Sequence, residues 1–343
     1  MCRAVNLSLE RGNCDGSCLT YVRLGRIAGP RFGDFKAAFR FAQVGLDLAE
    51  RRGLNRFEAG TYLNFAVMIA PWKRHVRTCL DLLRRAFDAA NKIGDLSYAN
   101  YANIALNSDV LVAGDHLSDA QREAELALSF AQKTRFSSNI GLVIPQLSLI
   151  RTLRGLTSEF GCFDSELVEE VSFERQLAEN PYLRLHECWY WVRKIQARFF
   201  AGGYSAAIEA SSKVQRLLWI TSTYIEEAEY HFYLALSRAA LCDSVTVGER
   251  VQHLEALAAH LRQLEIWAEN CPENFENRAA LVGAEIARIE GRELDAMRLY
   301  EKARRTHAQA PGAAKLSLQR RTRFRDDRRY AHQRKLLQGP ARR

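Results

Sequence analysis

The stretch RFFAGGYSAAIEASSKVQRLLW, Arg198 to Trp219, poses the choice on which the fold turns. Its glycine pair is followed by a helix start, so it could be a phosphate-cradling loop or the bend between two packed helices. A phosphate loop needs G-x-x-x-x-G-K-[ST], or G-x-G-x-x-G after a strand. Neither pattern occurs, and the residues before Gly202 read as a helix. A tight helix–helix bend needs a residue that tolerates positive φ, which glycine supplies. In this reading Tyr204 plugs the space between the two helices, and Ala207 lets the neighbouring helix approach closely.

The same pattern recurs outward from this stretch. RFGDFKAAFRFAQVGLDL carries Gly33, Phe35 and Ala38, and IEGRELDAMRLYEKA carries Gly291, Ala296, Tyr300 and Ala303. A weaker copy is Gly114-Asp115-His116. The leading glycines at 33, 114, 202 and 291 are spaced 81, 88 and 89 residues apart. Each interval has room for two helical hairpins of roughly 40 residues, a size typical of helical repeats. Gly33, Phe35, Ala38, Gly114, Gly202, Gly203, Tyr204, Ala207, Gly291, Ala296, Tyr300 and Ala303 are therefore expected to serve turns and packing.

Between these punctuation points apolar residues repeat at three- and four-residue spacing. In HVRTCLDLLRRAFDAANKIG, Val76, Cys79, Leu80, Leu83, Ala86, Phe87 and Ala90 share one helical face, with the charged residues largely elsewhere. TYIEEAEYHFYLALSRAAL mixes small and aromatic residues on nearly every turn, as a helix buried on two sides requires. Sustained β-type alternation is absent. The expectation is an all-α chain of about fourteen helices stacked as hairpins. Gly94-Asp95 and Gly114-Asp115 read as glycine stops with polar entries to the next helix, and Ser118 with Gln121 matches a capping box.

The 343 residues, 48% hydrophobic and 26% charged, are ordinary for a globular chain with a sizeable core. No run approaches 18 apolar residues, and the N-terminus lacks a secretory pattern, so a cytoplasmic location with no membrane contact is expected. The eight cysteines are scattered, as reduced thiols would be; only Cys14 and Cys18 lie close, and nothing completes a metal set around them. The net charge of +9 is concentrated at one end: residues 304–343 hold thirteen Lys or Arg against two acids, +11, leaving −2 for residues 1–303. The chain thus divides into a helical region, 1–303, and a basic tail, 304–343, which is expected to be disordered.

The G-x-[YF]-x-x-A pattern with a later Y-x-x-A resembles the second helix of the tetratricopeptide repeat, in longer and degenerate form. A broader resemblance rests on AGPRFGDFKAAFRF, PWKRHVRTCLDLLRRAF, AQKTRF, RTLRGLT, AEYHFY, IWAENCPENFENRAAL and ARIEGRELDAMRLYEKA, which occur in order over residues 3–303. These resemble the tetratricopeptide-like central region of bacterial multidomain serine/threonine kinase–ATPase–sensor histidine kinase proteins. The resemblance implies a tetratricopeptide-like α-solenoid and a role in signal transduction. It does not reach that family's catalytic parts: no kinase glycine loop, HRD, DFG, Walker lysine or histidine-kinase motif is present. After Ala303 the family pattern stops, which points to a truncated or frameshifted reading frame.

No catalytic, cofactor-binding or metal-ligating residue is assigned. In HECWYW, starting at His186, Tyr190 stands where H-E-x-x-H needs its second histidine. In IEEAEYH, Ala228 stands where Glu-x-x-His needs its glutamate, and Glu226, Glu227, Glu229 and His231 read as solvated or capping residues. Cys271, ahead of Pro272, sits at a helix entry where an amide dipole could lower a thiol pKa, but the plainer reading is a small core or turn residue followed by proline in the first helical turn. Trp72, Trp189, Trp191, Trp219 and Trp267 read as interhelical packing; an exposed aromatic on the solenoid's concave face would be the first candidate for partner contact. Three functional classes follow. The first is a non-catalytic interaction module that takes a protein partner or neighbouring signalling domains. The second is nucleic-acid binding through the tail. The third is a helical enzyme of unrecognised type.

Overall fold

The computed structural model describes residues 1–166 and 168–307. Sixteen α-helices make up nearly all of it, and the described residues hold no strand, only a single bridge between Ser165 and Val168. The first eight are α1 (Cys2–Arg11), α2 (Ser17–Phe32), α3 (Phe35–Arg52), α4 (Asn55–Met68), α5 (Arg77–Lys92), α6 (Leu96–Ala113), α7 (Leu117–Lys133) and α8 (Ser137–Leu153). The rest are α9 (Glu170–Glu179), α10 (Arg184–Ala201), α11 (Tyr204–Gln215), α12 (Leu218–Thr221), α13 (Ile225–Leu241), α14 (Val247–Asn270), α15 (Pro272–Ile289) and α16 (Glu293–His307). The all-α expectation holds. The helix count exceeds fourteen because short pieces such as the single-turn α12 carry too little periodicity to register in a sequence. No described helix is long and apolar enough to cross a membrane.

Glycine stops close the helices at the expected places. Gly33, Gly114, Gly202 and Gly291 have φ of 69°, 71°, 83° and 78°, the left-handed conformation that frees the last carbonyls to accept from the turn. At Gly33-Asp34 and Gly94-Asp95 the reversal takes one residue for each role. The glycine ends one helix, and the aspartate carboxylate accepts from the amide of Ala37 (2.8 Å) or Tyr98 (3.1 Å) to start the next. The Ser118–Gln121 capping box does not form. His116 is the N-cap of α7, so Ser118 lies inside the first turn, and Gln121 instead bonds Glu125 and Arg154. The capping box that does form is Thr246 with Glu249, at the start of α14.

Burial divides the helices into two layers. α5, α7, α11 and α14 bury one stripe each. α6, α10, α13 and α15 are buried on nearly every side. The outer layer therefore needs only an amphipathic pattern, and the inner layer must find partners for each polar group it carries. At the N-terminal end, α2 and α3 approach closely: a Cβ on Gly45 would stand 2.3 Å from the Cys18 carbonyl oxygen, and one on Gly25 2.6 Å from that of Ala38.

One contiguous core runs from Val22 to Ala303. An open solenoid contacts only successive repeats, but here early and late elements meet. Asn274 of α15 accepts from the Val76 amide (3.0 Å) and donates to the carbonyls of Pro71 (2.7 Å) and Arg74 (2.9 Å). Trp72 stacks on Phe275 at 5.3 Å, packs on Trp267 at 5.1 Å, and donates its indole N–H to the Thr223 carbonyl. The link between α4 and α5 thus docks onto α14 and α15, and the stack closes on itself. The basic tail lies outside the described residues from 308 onward; Arg304 to His307 continue α16.

Candidate functional site

The glycine-turn residues sit at separate helix ends and form no common site. Phe35 is buried near Trp72, with ring centroids 6.3 Å apart, and Ala38 packs beneath α2. Tyr204 leans on Phe199, Ala207 is fully buried, and Gly203 is the N-cap of α11 with ordinary negative φ. Ala296 and Ala303 are buried on α16, and the half-buried Tyr300 donates to Glu285 at 2.7 Å. These positions build turns and contacts between adjacent helices.

The inner helices bring together a different set. Gln146 of α8 donates to Ser108 of α6 (2.7 Å), and Ser108 donates to Glu226 of α13 (2.5 Å). Arg193 of α10 pairs with Glu226 at 2.7 Å, and also donates to Ser108 and to Gln196. Gln196 donates to Glu229 (2.5 Å), whose other oxygen lies 2.6 Å from Arg278 of α15. This ladder crosses five helices inside the core, with Arg193, Glu226 and Glu229 all at most 1% exposed. The reading of Glu226 and Glu229 as solvated is therefore wrong. Their helix is covered on both sides, and only the arginines from α10 and α15 make carboxylates there affordable. Burial pushes the Glu226 carboxyl up, against the pull of Arg193. Glu227 is half-buried, and desolvation pushes its carboxyl up to about 7.

Next to this ladder is a cavity of about 350 Å³ bounded by α2, α4, α6, α8, α10 and α13. Its walls are largely apolar and aromatic, with Met68, Tyr98, Tyr101, Trp189 and Tyr224, and Glu226 and Asp109 supply its acidic floor. Asp109 is 4% exposed, and its Oδ2 has no hydrogen-bond partner. Burial, and then the neighbouring Glu226 charge, push the Asp109 carboxyl well up.

The other candidate groups have structural partners. His186 is buried and its Nε2 bonds the Ser138 carbonyl oxygen (2.7 Å); Glu187 pairs with Arg216. Half-buried His231 meets His260 of α14, Nδ1 to Nδ1 at 3.0 Å, and burial drives their pKa values down to about 3 and about 4. The Cys271 thiol is pushed up to about 12 by desolvation, so the helix entry does not activate it, and packing accounts for the residue. Cys162, Asp164 and Glu170 do come within ligating distance of one another. Their lone pairs are taken: Cys162 Sγ lies 3.2 Å from both carboxylates, Glu170 also accepts from the Phe163 amide, and Lys194 already supplies the positive charge. Trp72, Trp189, Trp191 and Trp267 are buried, whereas Trp219 on α12 is 71% exposed.

Asp109, Ser108 and Gln146 were not singled out from the sequence. Each lies in an apolar helix, at a position whose neighbours come from other parts of the chain. A polar residue on the buried face of such a helix is the one signal that could have marked them. No protein-family model matches this chain, and no curated protein matches it.

Proposed function

We propose that the chain is a non-catalytic helical-repeat module of a signal-transduction sensor kinase, working by contact with neighbouring signalling domains or a protein partner. The resemblance of its ordered strings to the central region of the kinase–ATPase–histidine kinase proteins suggests the setting. The observation that carries the reading is how the interior reactive groups are used. Glu226 and Glu229 are tied to Arg193 and Arg278, and the Cys188 and Cys271 thiols are held up at about 12, so these groups serve packing and pairing rather than turnover. Exposed Trp219 offers a partner a large ring that buries much area at little entropy cost. Binding at such a face would shift a balance between arrangements of the attached domains.

The test is association of the purified chain with recombinant kinase and ATPase domains of such a protein, followed by calorimetry and by their phosphotransfer rates. Saturable binding that weakens in Trp219→Ala, with altered kinase output, is expected. ATP hydrolysis by the chain alone that disappears in Glu226→Gln would refute the non-catalytic reading.

The charge distribution favours a second reading, in which residues 304–343 bind nucleic acid. Thirteen basic side chains against two acids would neutralise several phosphates, with strongly salt-dependent affinity. A chain ending at 303 that bound DNA as well as the full chain would remove that reading.

A further inference from the structure

Among the described residues, buried carboxylates follow a rule with one exception. Glu170 has Lys194, Glu187 has Arg216, Glu226 has Arg193, Glu229 has Arg278 and Glu285 has Arg288. Asp109 is equally buried and, among the described residues, has no basic partner in contact. An uncompensated buried carboxyl is costly, yet this one stands at the wall of a 350 Å³ cavity. Asp109 therefore brings an uncompensated carboxyl to a site with room for a donor. The cavity is at the small end of the range for organic ligands. Tyr98, Tyr101, Trp189 and Tyr224 line the walls, and aromatic faces attract cations as well as apolar bodies.

We propose that this cavity binds a small organic monocation, a primary ammonium on an aromatic or aliphatic body, with its N–H groups on Asp109 and its body among Trp189, Tyr224 and Tyr101. The ammonium supplies the positive charge that every other buried carboxylate obtains from a side chain. In the empty cavity burial, and then the neighbouring Glu226, favour a proton on Asp109, against the pull of Arg193. Binding transfers that proton to solvent and leaves an ammonium–carboxylate pair, so charge and protons balance. Arg23 on the cavity wall disfavours a second positive end, so a monoamine is selected over a diamine. This site stands apart from the partner-binding role proposed above, and neither depends on the other.

The test is calorimetric titration of the full chain with phenethylamine, with phenylpropionate as the oppositely charged match and cadaverine as the diamine. Acetyl-lysine amide, which keeps its side-chain ammonium, separates a free amine from a protein lysine as the source of the same chemistry. The expected result is one-to-one binding of phenethylamine, weakened about tenfold or more for phenylpropionate, for cadaverine and in Asp109→Asn. Asp109→Asn keeps the shape and puts a neutral amide where burial disfavours an anion, so its melting temperature should hold or rise. If that variant does not fold, the Asp109 carboxyl carbon resonance in the unaltered chain is the readout, and phenethylamine should move it to the ionised position. No binding of phenethylamine, equal binding of phenylpropionate, undiminished binding by folded Asp109→Asn, or an unmoved carboxyl resonance would each overturn the proposal.

Discussion

Replacing Arg193 by methionine tests the buried ladder most directly. Arg193 is fully buried and touches Glu226, Ser108 and Gln196. Methionine roughly fills the volume but leaves the Glu226 carboxylate, itself 1% exposed, with the Ser108 hydroxyl and no charged partner. Removing one partner of a buried pair costs about 3–5 kcal/mol, against a total stability of roughly 5–15 kcal/mol. Urea denaturation followed by circular dichroism should show the midpoint falling by a large fraction of its value, with the m-value unchanged. The double variant Arg193→Met/Glu226→Gln should recover part of the loss, because the glutamine keeps an acceptor for Ser108 and carries no charge. The deficit should also depend on pH. Without Arg193, the folded protein holds a proton on Glu226 up to a higher pH than the unfolded chain does. Folded Arg193→Met therefore binds more protons, and its stability falls as pH rises above the ordinary carboxylate range, by about 1.4 kcal/mol per unit until Glu226 ionises. The deficit should be smaller at about pH 5 than at about pH 8. A single variant within about 1 kcal/mol of the parent, or a double variant as unstable as the two single losses added, would refute the account.

Other perturbations read out other parts of the structure. Gly202→Ala forces an alanine to φ 83° and should cost about 1–2 kcal/mol, while Gly203→Ala next to it, at ordinary φ, should cost much less in the same melts. Asn274→Ala strips the amide of Val76 and the carbonyls of Pro71 and Arg74 of their partner. It should cost about 3 kcal/mol, with faster hydrogen exchange at Val76; unchanged protection there would contradict the closure of the stack. His260 is held down to about 4 when folded, so below its ordinary value near 6.5 the unfolded state binds the extra proton. Stability is therefore lost as pH falls through that window, by roughly 3 kcal/mol at its lower end, and His260→Gln should flatten the acid limb of a pH–melting profile.

Local chain chemistry was legible in the sequence. A helix stop is decided by one or two residues, so Gly33, Gly114, Gly202 and Gly291 could be read as turns, and an amphipathic stripe such as that of α5 declares its own buried face. The Ser118–Gln121 box failed at the limit of that logic, because a cap depends on which residue precedes the helix, and His116 took the place two residues earlier.

What the sequence determined alone is the all-helical character and the positions where the chain reverses, both set by interactions within a few residues. Tertiary structure decided where the charges go. Glu226 and Glu229 lie in a helix whose arginine partners are 33 and 49 positions away, on α10 and α15 respectively. The stretch reads as a helix buried on two sides, yet nothing within α13 announces those partners, so its acids read as solvated or capping. The same holds for Asp109, whose missing partner is visible only once six helices have closed around it.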